Sequence, residues 1–116
     1  MIAYFAAEEK VLALVDSLRS NGIYLYISIV AETELISFEG WTVPQRNLVK
    51  QFLKENIVSI PYTRDLIETT SQIRMNSKLK LPDAIIAATS VRFEMPLLTR
   101  DLKDFKKVKD LKVLTV

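Results

Sequence analysis

The stretch K-L-P-D-A-I-I-A-A-T, Lys80 to Thr89, followed shortly by P-L-L-T-R-D-L-K-D-F, Pro96 to Phe105, decides how this chain folds. Proline lacks the amide proton that a first helical turn leaves unbonded in any case, so Pro82 predicts a helix start. The apolar run Ala84, Ile85, Ile86, Ala87, Ala88 and Val91 carries that helix to Glu94, and Pro96 prevents its continuation. A helix with so little polarity is buried almost all round. Leu97 to Thr99 is then a short strand without alternation of apolar and polar residues, as expected where both faces of a parallel sheet are covered.

The same grammar extends towards the N-terminus. Residues 2 to 20 place Phe5, Val11, Leu12, Leu14, Val15 and Leu18 at helical spacing, and Asn21-Gly22 supplies a stop. Ile23 to Ile29 is rich in β-branched and aromatic residues and predicts a strand, and Val30 to Phe38 returns to helical spacing. Pro44 starts a helix carrying Leu48, Val49, Phe52 and Leu53 that Asn56 ends, and Ile57 to Ile60 is a strand bounded by Pro61. Thr63 is the expected N-cap of a helix running to about Asn76, after which Ser77 to Leu81 forms a lysine-bearing loop. Val113 to Val116 is a last short strand. Helices alternating with short apolar strands predict an α/β fold of three layers, α/β/α, around a mainly parallel central sheet. Such folds usually open with a strand that lies centrally in the sheet, and here none precedes the first helix.

Composition narrows the chemistry. The chain of 116 residues suffices for one domain over residues 1–116, burying roughly two-thirds of the surface its unfolded form exposes. No apolar run reaches the roughly 18 residues of a membrane span, and Glu8 and Glu9 interrupt the apolar N-terminus, so no membrane partner is expected. With no cysteine, disulfides and thiolate metal ligands are excluded, which fits a cytoplasmic setting. With no histidine, the commonest general base, the Ser-His-Asp triad and the usual zinc ligands go together. Catalysis must run on carboxylates, lysines or hydroxyls, and carboxylate ligands favour Mg²⁺ or Mn²⁺.

Ligands of open α/β sheets bind beyond the carboxyl ends of strands, which singles out three places. Glu34 lies in the helix after the strand Ile23 to Ile29, and its neighbours Leu35, Ile36 and Phe38 predict partial burial. A lone glutamate there is ordinarily a surface residue, a role that Glu32 fits better. Asp83 opens the buried helix, where the macrodipole favours a carboxylate with or without function. Asp101 and Asp104 follow the strand Leu97 to Thr99, and each is equally readable as a capping or turn aspartate. Together, Glu34, Asp83 and Asp101 or Asp104 can surround one cation, with the Thr99 hydroxyl nearby. Like charges so close call for a divalent ion.

The two quoted segments resemble the C-terminal signature of PIN-domain ribonucleases of the VapC toxin type, whose pattern is close to D-A-x-I-A-A-T followed by L-x-T-x-N/D-x-x-D-F. Ile29 to Phe38 is similar to the family's helix after its second strand, with Glu34 at the glutamate. The resemblance covers nearly the whole chain. It implies hydrolysis of RNA phosphodiester bonds at an acidic Mg²⁺ or Mn²⁺ site held by Glu34 and Asp83 and completed by Asp101 and Asp104. Asp101 stands where many relatives carry asparagine, so which of these two is the fourth acid stays open. The family also begins with a strand ending in D-T/S-N/S, and Met1 to Phe5 resembles the residues just after it. The expectation is therefore that the first strand and its aspartate lie upstream of Met1.

For substrate, Lys80, Arg100 and Lys103 flank the acids, within a wider set that includes Arg74, Lys78, Lys106, Lys107, Lys109 and Lys112, and can hold RNA phosphates. Charge alone reads equally as a solvated lysine face. Phe38 to Trp41 with Leu48 and Phe52 would form an apolar groove for an antitoxin helix, as the family implies, though core packing accounts for them too. Three readings follow: the ribonuclease toxin; a binding module for RNA or antitoxin that cannot assemble the metal site without its first aspartate; and an unrelated phosphoacceptor-like α/β domain. A sheet without its first strand would also dimerise or borrow one.

Overall fold

The computed structural model describes residues 17–99 and 101–115. Of the helix expected over residues 2 to 20, residues 17–20 are helical; the remainder, with Phe5, Val11, Leu12, Leu14 and Val15, lies outside the described residues, as do Arg100 and Val116. The chain divides into two compact units, Ile2–Ile60 and Pro61–Val116, the latter taking Met1 as well.

In the first unit, β1 (Leu25–Ser28) runs directly into α1 (Ile29–Ile36). The junction is set by Ser28, whose side-chain oxygen accepts from the Val30 N–H at 3.2 Å and so caps the helix. Ile29 therefore starts the helix instead of ending the strand. Next comes α2 (Val43–Asn56), opened by a reciprocal capping box between Thr42 and Gln45 with proline in its first turn. It passes without a loop into β2 (Ile57–Ile60), which pairs in parallel with β1, Leu25 opposite Ile57 and Ser28 opposite Ile60. Ile27, Ala31, Leu35, Val49, Leu53 and Ile57 form the core, and burying a side chain such as Leu53 stabilises by roughly 1.5–3 kcal/mol. The α1–α2 loop is tied from within. Trp41 Nε1 donates to the Leu35 carbonyl at 2.8 Å, and Arg46 donates to the carbonyls of Ile36 and Phe38, each at 2.9 Å. The Arg46 bond to Ile36 satisfies a carbonyl in the last turn of α1, and the other two tie the loop to α1 and α2.

The second unit begins with a 3₁₀ turn, Arg64–Leu66, that leads into α3 (Ile67–Ser77). Thr63 does precede the helical segment, but its hydroxyl bonds the Asp65 carboxylate and makes no cap to a backbone N–H. That bond is the main reason the Asp65 carboxyl sits below its ordinary value, with Arg92, 3.5 Å away, adding less. Lys78 terminates α3 in the left-handed region at φ 56°. After it come α4 (Leu81–Arg92), β3 (Leu97–Thr99), a four-residue helix α5 (Leu102–Phe105) and β4 (Val113–Thr115). β3 pairs in parallel with β4, Leu97 opposite Val113.

α4 is buried from Ala84 through Ser90 without interruption, as its composition demands, and packs on α3. Its buried Thr89 avoids a desolvation penalty because the hydroxyl donates to the Ile85 carbonyl at 2.8 Å, as Thr70 does to Leu66 in α3. No buried side-chain polar atom lacks a partner among the described residues. None of the described helices is long and apolar enough to cross a membrane.

Candidate active site

Asp83 is the third residue of α4, whose N-cap, Lys80, supplies no side-chain hydrogen bond. The amides of that first turn point outward and favour a negative charge. Burial has a competing effect. Asp83 is half-buried, immediately before seven consecutive buried residues.

The other candidate acids of this unit, Asp101 and Asp104, come from the turn after β3. Thr99, 3% exposed at the end of that strand, accepts the Asp101 N–H on its Oγ1 at 3.0 Å. Asp101 in turn caps α5, its Oδ1 accepting the Asp104 N–H at 3.4 Å. Asp104 lies 3.9 Å from Lys107 Nζ. The sequence left α5 unassigned, although the Asp101-x-x-Asp104 spacing is that of a cap and its third helical residue.

The charges of Asp101 and Asp104 act on Asp83. Burial raises the Asp83 carboxyl above the ordinary carboxylate value, the charge of Asp101 and then that of Asp104 raise it further, and Lys80 opposes them. Asp101 is thus the stronger of the two influences on Asp83. Lys80 and Lys103 are both exposed.

Glu34 belongs to the first unit, on α1 after β1. It is exposed, against the expected partial burial, and Glu32 is the half-buried one. Ala31 and Leu35 mark the inward line of α1, and the two glutamates flank it at similar angles. Periodicity alone therefore had no means of ranking them.

The donor set is made of oxygen and suits a hard cation. Mg²⁺ in particular keeps several waters and takes one or two carboxylates together with substrate phosphate, so a site with few carboxylates is within its chemistry. An all-protein cage is a different matter. Among the described residues no group of three acidic side chains is close enough to hold a metal ion.

Residues 1–111 match the PIN domain family. A stretch of 34 residues is 50% identical to a protein described as ribonuclease VapC from Rickettsia bellii (strain RML369-C), over 29% of this chain and 25% of that protein. The matched stretch thus spans about a quarter of that relative's length. Among solved structures, a toxin-antitoxin complex from Klebsiella pneumoniae is similar at a TM-score of 0.64 and 31% identity, over 76% of this chain and 70% of that one. The VapBC2 complex of Rickettsia felis, bound to a DNA fragment from its promoter, reaches a TM-score of 0.82 over 97% of this chain and 91% of that one. Its identity is 16%, a likeness of fold alone.

Proposed function

Because the chain belongs to the PIN domain family, matched over residues 1–111, we propose that it is an endoribonuclease that uses Mg²⁺ or Mn²⁺ to hydrolyse RNA phosphodiester bonds. One observation carries this reading: half-buried Asp83 stands in the first turn of a buried helix, where burial and the charges of Asp101 and Asp104 oppose its ionisation. Carboxylates held together in this way are relieved by a cation.

Asp83 and Asp101 would hold the ion, with Asp104 beside them. Glu34 is assigned to the set on the sequence resemblance alone. A divalent ion in such a site lowers the pKa of a bound water and offsets charge on the phosphoryl group. The protein's own groups divide the remaining work. Thr99 fixes the backbone of Asp101, whose Oδ1 is engaged in capping, so Oδ2 is the atom assigned to the ion. Lys80 and Lys103 pair with RNA phosphates on either side, and Arg100 is assigned to the same rim from sequence.

The role assigned is the toxin half of a toxin-antitoxin pair, acting in the cytoplasm against RNA and restrained by a protein antitoxin. The likeness, at 31% identity, to a chain from a toxin-antitoxin complex supports it. Homodimerisation is a further association to measure by light scattering.

The test is cleavage of single-stranded RNA with Mg²⁺ or Mn²⁺ and with EDTA, by the wild-type chain and by Asp83→Asn, Asp101→Asn and Glu34→Gln. Cleavage that needs the ion and falls about 100-fold in Asp83→Asn supports the reading. EDTA-insensitive cleavage, equal in all four proteins, rejects it. A second reading, a binding module for RNA or antitoxin, is favoured by the lack of a three-acid group among the described residues. It predicts RNA retention with no divalent-dependent cleavage.

A further inference from the structure

The geometry points to Ser77 as a positioning residue for the acidic site, a role that rests on the ribonuclease reading. Ser77 is the last residue of α3 and is 9% exposed. Its Oγ donates to the Lys107 carbonyl at 3.2 Å, a bond between residues 30 apart in the chain. Lys107 holds Asp104 at two points: its N–H donates to the Asp104 carbonyl at 3.3 Å, and its Nζ lies 3.9 Å from Oδ1.

On its other side Ser77 is continuous with the segment that delivers Asp83. Lys78 follows in the left-handed conformation, its N–H donating to the Arg74 carbonyl at 2.9 Å, and Leu79 is buried. Lys80 then forms the N-cap of α4. One hydroxyl therefore braces the segment leading to Asp83 against the turn that follows Asp104.

The direction of the bond separates Ser77 from its neighbours. Hydroxyls in helices commonly donate to the carbonyl four residues back, as Thr70 does, and then serve only their own helix. The Ser77 bond leaves the helix and fixes one distance between two segments. The turn it reaches is seated by Phe105 and Val108, 2% and 5% exposed, so its carbonyl has little freedom to turn outward.

Ser77→Ala, Ser77→Cys and Ser77→Thr would be compared with wild type by RNA cleavage with Mg²⁺, by thermal melting and by ¹H–¹⁵N NMR. Ala and Cys are expected to lower kcat about 10-fold while leaving KM within about two-fold, because a catalytic group displaced by a fraction of an ångström loses alignment before affinity. Thr, which keeps the hydroxyl, should restore kcat. The amide resonances of Asp104 and Lys107 should move in Ala and Cys and return in Thr. A folded Ala variant with unchanged kcat and unmoved amides overturns the proposal, as does a rise in KM with kcat retained, or failure of Thr to rescue. If Ala does not fold, Cys, nearly isosteric with a weak donor, gives the same comparison. If wild type cleaves no RNA with Mg²⁺, the ribonuclease reading fails, and the amide shifts alone decide whether Ser77 sets the place of Asp104.

Discussion

A carboxylate that is half-buried and faced by two others works against the fold that holds it. Asp83 titrates above its ordinary value because of burial first and of Asp101 and Asp104 next, so the folded chain keeps a proton that the unfolded chain has already released. The stability tied to that proton is fully present below the ordinary carboxylate pKa of about 3.9 and is lost as pH rises through the raised value. At neutral pH without metal, ionised Asp83 is therefore a net cost. Asp83→Asn should melt at a higher temperature than wild type at pH 7 in EDTA, and the gap should close near pH 3, both followed by circular dichroism. Divalent ions should stabilise wild type by mass action and leave the variant unmoved, narrowing the same gap at pH 7. A variant that melts lower at pH 7 in EDTA would mean that the helix-terminus attraction outweighs burial and repulsion. Activity should move the opposite way from stability, with cleavage lost in the more stable protein.

Local chemistry sets the ends of the elements, and each end is a measurable quantity. Thr42 and Gln45 satisfy each other's backbone groups at the start of α2, so Thr42→Ala should cost about 1 kcal/mol in urea denaturation. An effect below about 0.3 kcal/mol would mean that solvent replaces the cap there. At the end of α3, Lys78 adopts φ 56°, a conformation that disfavours any Cβ. Lys78→Gly should therefore stabilise by roughly 1 kcal/mol, measured the same way. These examples also explain which borders the sequence announced. Pro82 and Pro96 bracket α4, and Asn56 stands at the α2–β2 junction, because prolines and caps act through neighbours in the chain. The end of α3, expected at about Asn76, falls at Ser77, but nothing in the sequence marks Lys78 as left-handed, since a lysine in that region looks like any other lysine. The four residues of α5 are too few for a hydrophobic period, and Thr63 holds the N-cap position without capping because its hydroxyl bonds a nearby carboxylate and not a backbone amide.

At the scale of the whole chain, the α/β class was legible because it depends on periodicities that every segment repeats; the acids after β3 were singled out because strand ends collect ligands in such folds, and their role stays a proposal. The contrast between Glu32 and Glu34 was not, since it depends on what packs over α1. Nor was the brace from Ser77 to Lys107, which joins residues 30 apart. Charge is the remaining property read from the whole chain. The formal net charge is only +2, yet basic residues outnumber acidic ones between Lys78 and Lys112, the segment that holds Asp83, Asp101 and Asp104. If that segment meets RNA through phosphates, affinity must fall with salt, because each phosphate contact releases a counterion and contributes about −0.7 to the slope of log K against log salt on a single strand. The measurement needs an intact ligand, so Asp83→Asn with a fluorescent single-stranded RNA in EDTA is the right protein, titrated by anisotropy at several salt concentrations. Lys80→Ala and Lys103→Ala, each added to it, should flatten the slope by about 0.7 and weaken binding to unrelated RNA sequences by similar factors. A slope near zero, or one that neither lysine changes, would place the RNA contacts elsewhere and leave these two lysines as solvated surface.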